Sequence, residues 1–250
     1  MKQYSSVAVA FSGGVDSTLL LYAACEALGE EHVHVLRGMS ELVSSRESAG
    51  AAALLSELGI SSTQILEIRL HSLNWPEFVV NSSERCYFCK KRMYQTFQRS
   101  LEELECPVLL DGSNVDDLKS HRPGFKAIRE FNIKTPLLDA GLNKEEIRSL
   151  AKSFHLSNHN KASNSCLATR LLEGTIIEKK SLAIVEKCED FLLDCDFFGC
   201  RVKPNGSDVV LELAENDVTR LTKLPVRVEI IHFFREMGFL RVLIDLNPRL

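Results

Sequence analysis

Apolar residues in the first half of the chain alternate between short unbroken runs and longer helical spacings. Residues 6–11 form a compact apolar run of buried-strand length, followed by a glycine turn. A helical pattern then covers residues 16–28 and stops at Gly29. Residues 33–36 read as a second strand, 47–58 as an alanine-rich helix closed by Gly59, and 64–68 as a third strand. After a long irregular stretch, residues 89–104 read as a helix and 108–110 as a buried strand. This alternation predicts an α/β fold, a doubly wound parallel sheet with helices on both faces. Ligands of such sheets bind beyond the carboxyl ends of the strands. The glycine turn after the first strand and Asp111-Gly112 after the fourth both fall there.

Asn143 followed by Glu146 has the form of a capping box and opens a helix to about Phe154. Residues 157–165 are polar and without periodicity. Beyond Arg170 the rhythm changes to one helix, residues 177–193, and alternating strands near Arg201, Val209 and Val242. The expected organisation is a main domain over residues 1–170 and a small α+β domain over 171–250.

With 250 residues, 45% hydrophobic and 26% charged, the chain can bury a core that needs no disulfides. No apolar run reaches the roughly 20 residues that span a bilayer. The apolar stretch near the N-terminus is too short for a secretory signal, so the cytoplasm is expected. A net charge of −4 with scattered basic residues argues against a long nucleic acid partner. In that compartment the eight cysteines read as thiols, ligands or nucleophiles.

The sharpest candidate chemistry is Ser12-Gly13-Gly14-Val15-Asp16-Ser17. Two glycines let the backbone turn and bring N–H groups close to an anion. The helix that follows adds its positive end, and Ser12 and Ser17 add hydroxyls. No lysine follows the glycines, so this is not a Walker loop. Asp16 reads either as a metal- or water-ordering carboxylate or as a helix cap. Cys86 and Cys89 form a Cys-x-x-Cys pair, which serves equally as a zinc half-site, a redox pair or two thiols on a helix.

The hexapeptide resembles the PP-loop of the ATP-pyrophosphatase superfamily, whose members cleave ATP between the α and β phosphates. Arg85-Cys86-Tyr87-Phe88-Cys89-Lys90, Asp111-Gly112-Ser113-Asn114-Val115-Asp116-Asp117, Arg122-Pro123-Gly124 and Ser165-Cys166-Leu167-Ala168-Thr169-Arg170 follow in that order. Together with the loop they resemble the LarE family, which makes the thiocarboxylates of the nickel-pincer nucleotide. The resemblance implies ATP-dependent activation of a carboxylate on a pyridinium-dicarboxylate mononucleotide, then attack by sulfur from sulfide or another donor.

It also implies the site. Residues 12–17, Gly38, Met39, Asp111, Gly112 and Arg122 would border ATP, with Mg2+ at the phosphates. Cys166 and Lys90 would join Asp16 as catalytic groups, and Arg201 and Glu212 would meet the substrate. Cys166 matches the family's sulfur-donating cysteine. The added Cys86 and Cys89 resemble a subgroup in which three cysteines hold a [4Fe–4S] cluster with one iron open to sulfide. Bland alternatives remain at this point: an Asx-rich turn for residues 111–117, surface positions for Lys90 and Arg122, and a half-exposed strand for Arg201 and Glu212. A tRNA-thiolating relative, a sacrificial single-cysteine enzyme and a non-catalytic nucleotide or metal sensor are the rival functions. Ring-like homo-oligomers occur among the relatives.

Overall fold

Four strands in the first half of the chain pair in the order β3-β2-β1-β4, all parallel. The structure is a computed structural model and describes residues 1–106, 108–119, 123–247 and 249. The elements of this half are β1 (Val7–Ala10), α1 (Val15–Leu28), β2 (Val33–Met39), α2 (Ser45–Glu57), β3 (Ile65–Arg69), α3 (Pro76–Val79) and α4 (Arg85–Glu103). They continue with β4 (Leu109–Leu110), α5 (Gly124–Glu130), α6 (Pro136–Asp139) and α7 (Lys144–Ser153). The second half holds α8 (Lys179–Asp194), β5 (Arg201–Asn205), β6 (Asp208–Glu212), α9 (Glu215–Thr222), α10 (Leu224–Glu236) and β7 (Arg241–Ile244).

The chain divides into two units, residues 1–78 with 83–161, and 79–82 with 162–250. In the first, Val7, Ala8 and Val9 are fully buried, because β1 lies between two neighbours and beneath helices on both faces. One apolar cluster packs α1 and α7 against the sheet through Leu20, Leu21, Val35, Ile147 and Ala151. Another seats α4 through Tyr94, Phe97 and Leu101, spaced three and four apart on one helix stripe. The α7 start has both halves of the expected capping box, Asn143 with Glu146. From β1 the chain runs outward to β2 and β3, then returns to β4 on the opposite side of β1. The strand order therefore reverses between β1 and β4, and the crevice at their carboxyl ends is where such sheets take ligands.

The second unit is built on a sheet ordered β5-β6-β7, with the first pair antiparallel and the second parallel. Its core gathers Cys188, Leu192, Phe197, Val202, Val209, Leu211, Ile230 and Phe234. The reading of a single helix here is corrected by α9 and α10. A parallel β6–β7 pair needs a long crossover connection, and these helices supply it. The run Val226-Arg227-Val228-Glu229-Ile230-Ile231 has strand-like β-branched composition, yet Ile230 and Phe234 bury as an i, i+4 helical pair. No helix among the described residues is long and apolar enough to cross a membrane.

Candidate active site

The turn after β1 depends on Gly13, whose φ of 74° is the left-handed region that glycine enters without strain. Close packing reinforces the requirement: a Cβ on Gly13 would lie 2.7 Å from the Cβ of Ala51 on α2. Gly14 then caps α1 in an extended conformation with no side-chain cap bond. Inside the turn the Ser12 amide donates to Ser17 Oγ at 3.3 Å, and the Ser17 hydroxyl donates to the Gly14 carbonyl at 3.1 Å. The Thr18 hydroxyl donates to the same carbonyl at 2.9 Å. Short side chains thus tie the turn to itself, with the start of α1 behind it.

Asp16 is not the helix cap. It sits in the first turn of α1 and accepts hydrogen bonds from two later segments. Lys144 Nζ, at the start of α7, lies 2.5 Å from Asp16 Oδ2, and Asn114 Nδ2 donates to Asp16 Oδ1 at 3.3 Å. The Lys144 amide is held by Asp116 Oδ2 at 2.8 Å. Asn114 also caps the short 3-10 turn Val115–Leu118 with Asp117 as its box partner. The acidic segment is therefore an Asx-rich turn and a support of the glycine loop at once.

Asp111 and Gly112 close the crevice from β4. A Cβ on Gly112 would stand 3.1 Å from the Ser17 amide nitrogen, so glycine allows the two backbones to approach. The nearly buried Asp111 carboxylate accepts from Tyr94 Oη at 2.6 Å, Lys90 Nζ at 3.2 Å and the Ser113 amide at 2.9 Å. Burial pushes its pKa up, but the Lys90 ammonium and the Ser113 and Tyr94 hydroxyls outweigh burial and hold it below the ordinary range. Burial raises the Tyr94 phenol, and the Asp111 charge raises it further. Lys90 is thereby fixed on α4 and is not a loose surface lysine. Gly124 leaves room for its stem, since a Cβ there would lie 2.9 Å from Lys90 Cδ.

Gly38 and Met39 end β2 itself, two residues inside a strand longer than expected. Gly38 leaves space for Leu70, whose Cδ1 would lie 2.7 Å from a Cβ. Arg122 lies outside the described residues.

The polar segment after α7, unreadable from sequence, contributes directly. Asn158 Nδ2 donates to Thr18 Oγ1 at 2.9 Å and to the Gly13 carbonyl at 3.4 Å. Lys161 Nζ is 3.4 Å from the Gly13 carbonyl and 2.7 Å from Glu47 Oε2. Arg148 fixes this segment by donating to the His159 and Lys161 carbonyls at 2.7 and 2.6 Å. Only the helix start at Asn143 hinted at any of these residues.

The sulfur candidates divide between the two units. Cys86 and Cys89 both lie in the first turns of α4, because that helix begins at Arg85, four residues earlier than its sequence pattern suggests. Three residues apart, they fall on one helix face, with Cys86 exposed and Cys89 half-buried. That spacing suits a shared metal centre, yet among the described residues no group of three or more His, Cys, Asp or Glu is arranged to hold a metal ion.

Cys166 belongs to the second unit and caps the 3-10 turn Leu167–Arg170. Arg170 is fully buried beneath it and donates to the carbonyls of Ser165 at 2.6 Å and Cys166 at 3.0 Å. Its other donors meet Glu189 at 2.9 and 3.0 Å, and Glu189 also accepts from the Val202 amide at 3.0 Å. The buried pair is well satisfied, so it holds the cysteine-bearing turn without an uncompensated charge. Beside it, Arg201 Nε is buried with no hydrogen-bond partner among the described residues. Burial, then repulsion from Arg249 and Arg170, lowers the Arg201 pKa. An anion would relieve that crowding of cations. Glu212 stands opposite Arg201 in the β5–β6 register and carries an ion pair with Lys203.

Comparison with known proteins places this geometry. The NAD synthase family model matches residues 1–75, the stretch containing the glycine loop. An uncharacterized protein of Synechocystis is 29% identical over 239 residues, covering 96% of this chain and 88% of its own. One from Methanocaldococcus jannaschii is 29% identical over 246 residues, covering 96% and 89%. The pyridinium-3,5-bisthiocarboxylic acid mononucleotide synthase of Lactiplantibacillus plantarum is 30% identical over 247 residues, 99% of this chain and 88% of that enzyme. A glycine loop of this form at the mouth of β1, in a chain alike from end to end to that synthase, means that the protein belongs to the LarE family of PP-loop, ATP-dependent sulfurtransferases.

Proposed function

We propose that this protein uses ATP to activate a carboxylate of a pyridinium-3,5-dicarboxylate mononucleotide and replaces a carboxylate oxygen with sulfur, a step of nickel-pincer cofactor synthesis. The observation that carries the reading is the glycine loop with Asp16 at its exit, in a chain similar over 99% of its length to a bisthiocarboxylic acid mononucleotide synthase. Backbone N–H groups of residues 12–17 receive the pyrophosphate part of ATP. Gly38 and Met39 border the adenine, and Asp111 and Gly112 border the phosphates and ribose. Asp16 would hold Mg2+, whose charge screens the repulsion between the triphosphate and the incoming carboxylate. A carboxylate oxygen attacks the α phosphorus, the bond to the β-phosphate oxygen breaks, and pyrophosphate leaves. Lys90 neutralises charge near the resulting acyl adenylate. Arg201, with Arg249 beside it, takes the substrate's own phosphate; its buried Nε, without a hydrogen-bond partner among the described residues, and its lowered pKa support that role. Glu212 steadies Lys203 in the same set.

Sulfur then attacks the acyl carbon and AMP leaves. Cys86, Cys89 and Cys166 would hold a [4Fe–4S] cluster, which when bound supplies an iron open to hydrosulfide. The pair on one turn of α4 supports this form of the step. In the other form Cys166 surrenders its own sulfur and becomes dehydroalanine. One experiment separates them: protein prepared without oxygen is assayed for iron, turnover number and intact mass. The cluster form gives about four irons per chain and several thiocarboxylates per protein, both lost in Cys86→Ala. Colourless protein, one turnover and a loss of about 34 Da, one hydrogen sulfide, at Cys166 would overturn it. In either form Cys166→Ala still releases pyrophosphate and makes no thiocarboxylate; wild-type product yield would remove Cys166 from the mechanism.

A further inference from the structure

The glycine loop contains no lysine, yet two ammonium groups from distant segments of the first unit reach it. Lys144 pairs with Asp16 at 2.5 Å, and Lys161 pairs with Glu47 at 2.7 Å while touching the Gly13 carbonyl at 3.4 Å. Their backbones are anchored. The Lys144 amide is bound by Asp116, and the segment carrying Lys161 is fastened by Arg148 and by Asn158 on Thr18. Their tips are not sealed in: the side chains of both lysines are 27% exposed, and those of Asp16 and Glu47 are 23% and 28% exposed. Ion pairs so open to water hold weakly. Two lysines and two carboxylates also cancel in charge, so in this arrangement the loop meets an anion with neutral N–H and hydroxyl donors and its helix end.

We propose that Lys144 and Lys161 are the pyrophosphate-binding cations of this enzyme. On binding of ATP with magnesium, they exchange the Asp16 and Glu47 carboxylates for oxygens of the β and γ phosphates. Asp16 is then free for the metal, and the departing pyrophosphate keeps two positive partners. A lysine ammonium on a flexible stem is a point charge well suited to this exchange, and charge-assisted bonds to phosphate are stronger than exposed carboxylate pairs. The exchange makes and breaks no covalent bond. The inference rests on the reading of the loop as a pyrophosphate cradle.

The test is calorimetric titration of the full-length protein with magnesium pyrophosphate and, separately, with AMP, which lacks the β and γ phosphates. Lys144→Met and Lys161→Met should each weaken pyrophosphate binding about tenfold or more, while AMP binding stays within about twofold. Lys144→Arg and Lys161→Arg should recover most of the loss. Either Met variant binding pyrophosphate as wild type does would overturn the proposal for that lysine. Equal loss of pyrophosphate and AMP would do the same, by assigning the lysine to loop architecture alone. Wild-type protein that binds AMP but not pyrophosphate would instead overturn the cradle reading on which the inference stands.

Discussion

Asp16 and Ser17 both sit in the first turn of α1 but bond differently. Asp16 carries a charge paired to Lys144, whereas Ser17 donates a neutral hydrogen bond within the loop. Asp16→Asn and Ser17→Ala should each slow substrate-dependent pyrophosphate release by about tenfold or more, with unchanged thermal unfolding. Wild-type rates in both would reduce the loop to a turn. The cysteines can be ranked in the same way. Burial pushes Cys25 up to about 11 and Cys188 and Cys200 up to about 12, with nearby glutamates adding to the effect. These thiols are protonated at pH 8, whereas Cys86 is exposed on α4. Timed iodoacetamide labelling at pH 8 with peptide mass mapping should modify Cys86 well before Cys25, Cys188 and Cys200. Labelling of Cys188 or Cys200 at the Cys86 rate would contradict their burial. Residues 12–17 were legible in the sequence because their chemistry is contiguous. Lys144, Asn158 and Lys161 were not, because they reach the loop across 128, 145 and 148 positions, a juxtaposition only tertiary packing creates.

Elements were most legible where a rhythm met a clear stop. Gly29 ends α1 with a φ of 90°, and the Asn143–Glu146 box opens α7 as its spacing implies. The α4 start was harder to read, since Arg85 to Phe88 carries no cap residue and no apolar stripe before Tyr87. For α10, β-branched composition pointed one way and the crossover needed by a parallel strand pair pointed the other; topology prevailed. The β1–α1 turn gives the sharpest test of an element. Gly13→Ala must place a side chain at a φ of 74° and within 2.7 Å of Ala51 Cβ. Left-handed strain and overpacking together should cost roughly 2–5 kcal/mol in urea unfolding. An Ala variant within about 0.5 kcal/mol of wild type would mean that the turn is not built as described.

In the whole molecule, the parallel sheet and its reversal between β1 and β4 put the glycine loop and Asp111-Gly112 side by side in the first unit, while Cys166 and Arg201 are fixed by the buried Arg170–Glu189 frame of the second. That the chain carries a parallel sheet was legible from alternation, and its PP-loop from the resemblance of the hexapeptide. The excursion of residues 79–82 into the second unit was not, since the Asn81 amide finds the Leu172 carbonyl at 2.7 Å through contacts no local pattern announces. Activation of a carboxylate at the loop is the claim on which everything else depends, and isotope exchange between pyrophosphate and ATP measures it without any need for sulfur. With magnesium and a pyridinium-3,5-dicarboxylate mononucleotide present, label should pass from pyrophosphate into ATP, and Asp16→Asn should cut that rate about tenfold or more. Exchange that is absent, or that runs equally well without the carboxylate substrate, would contradict the account.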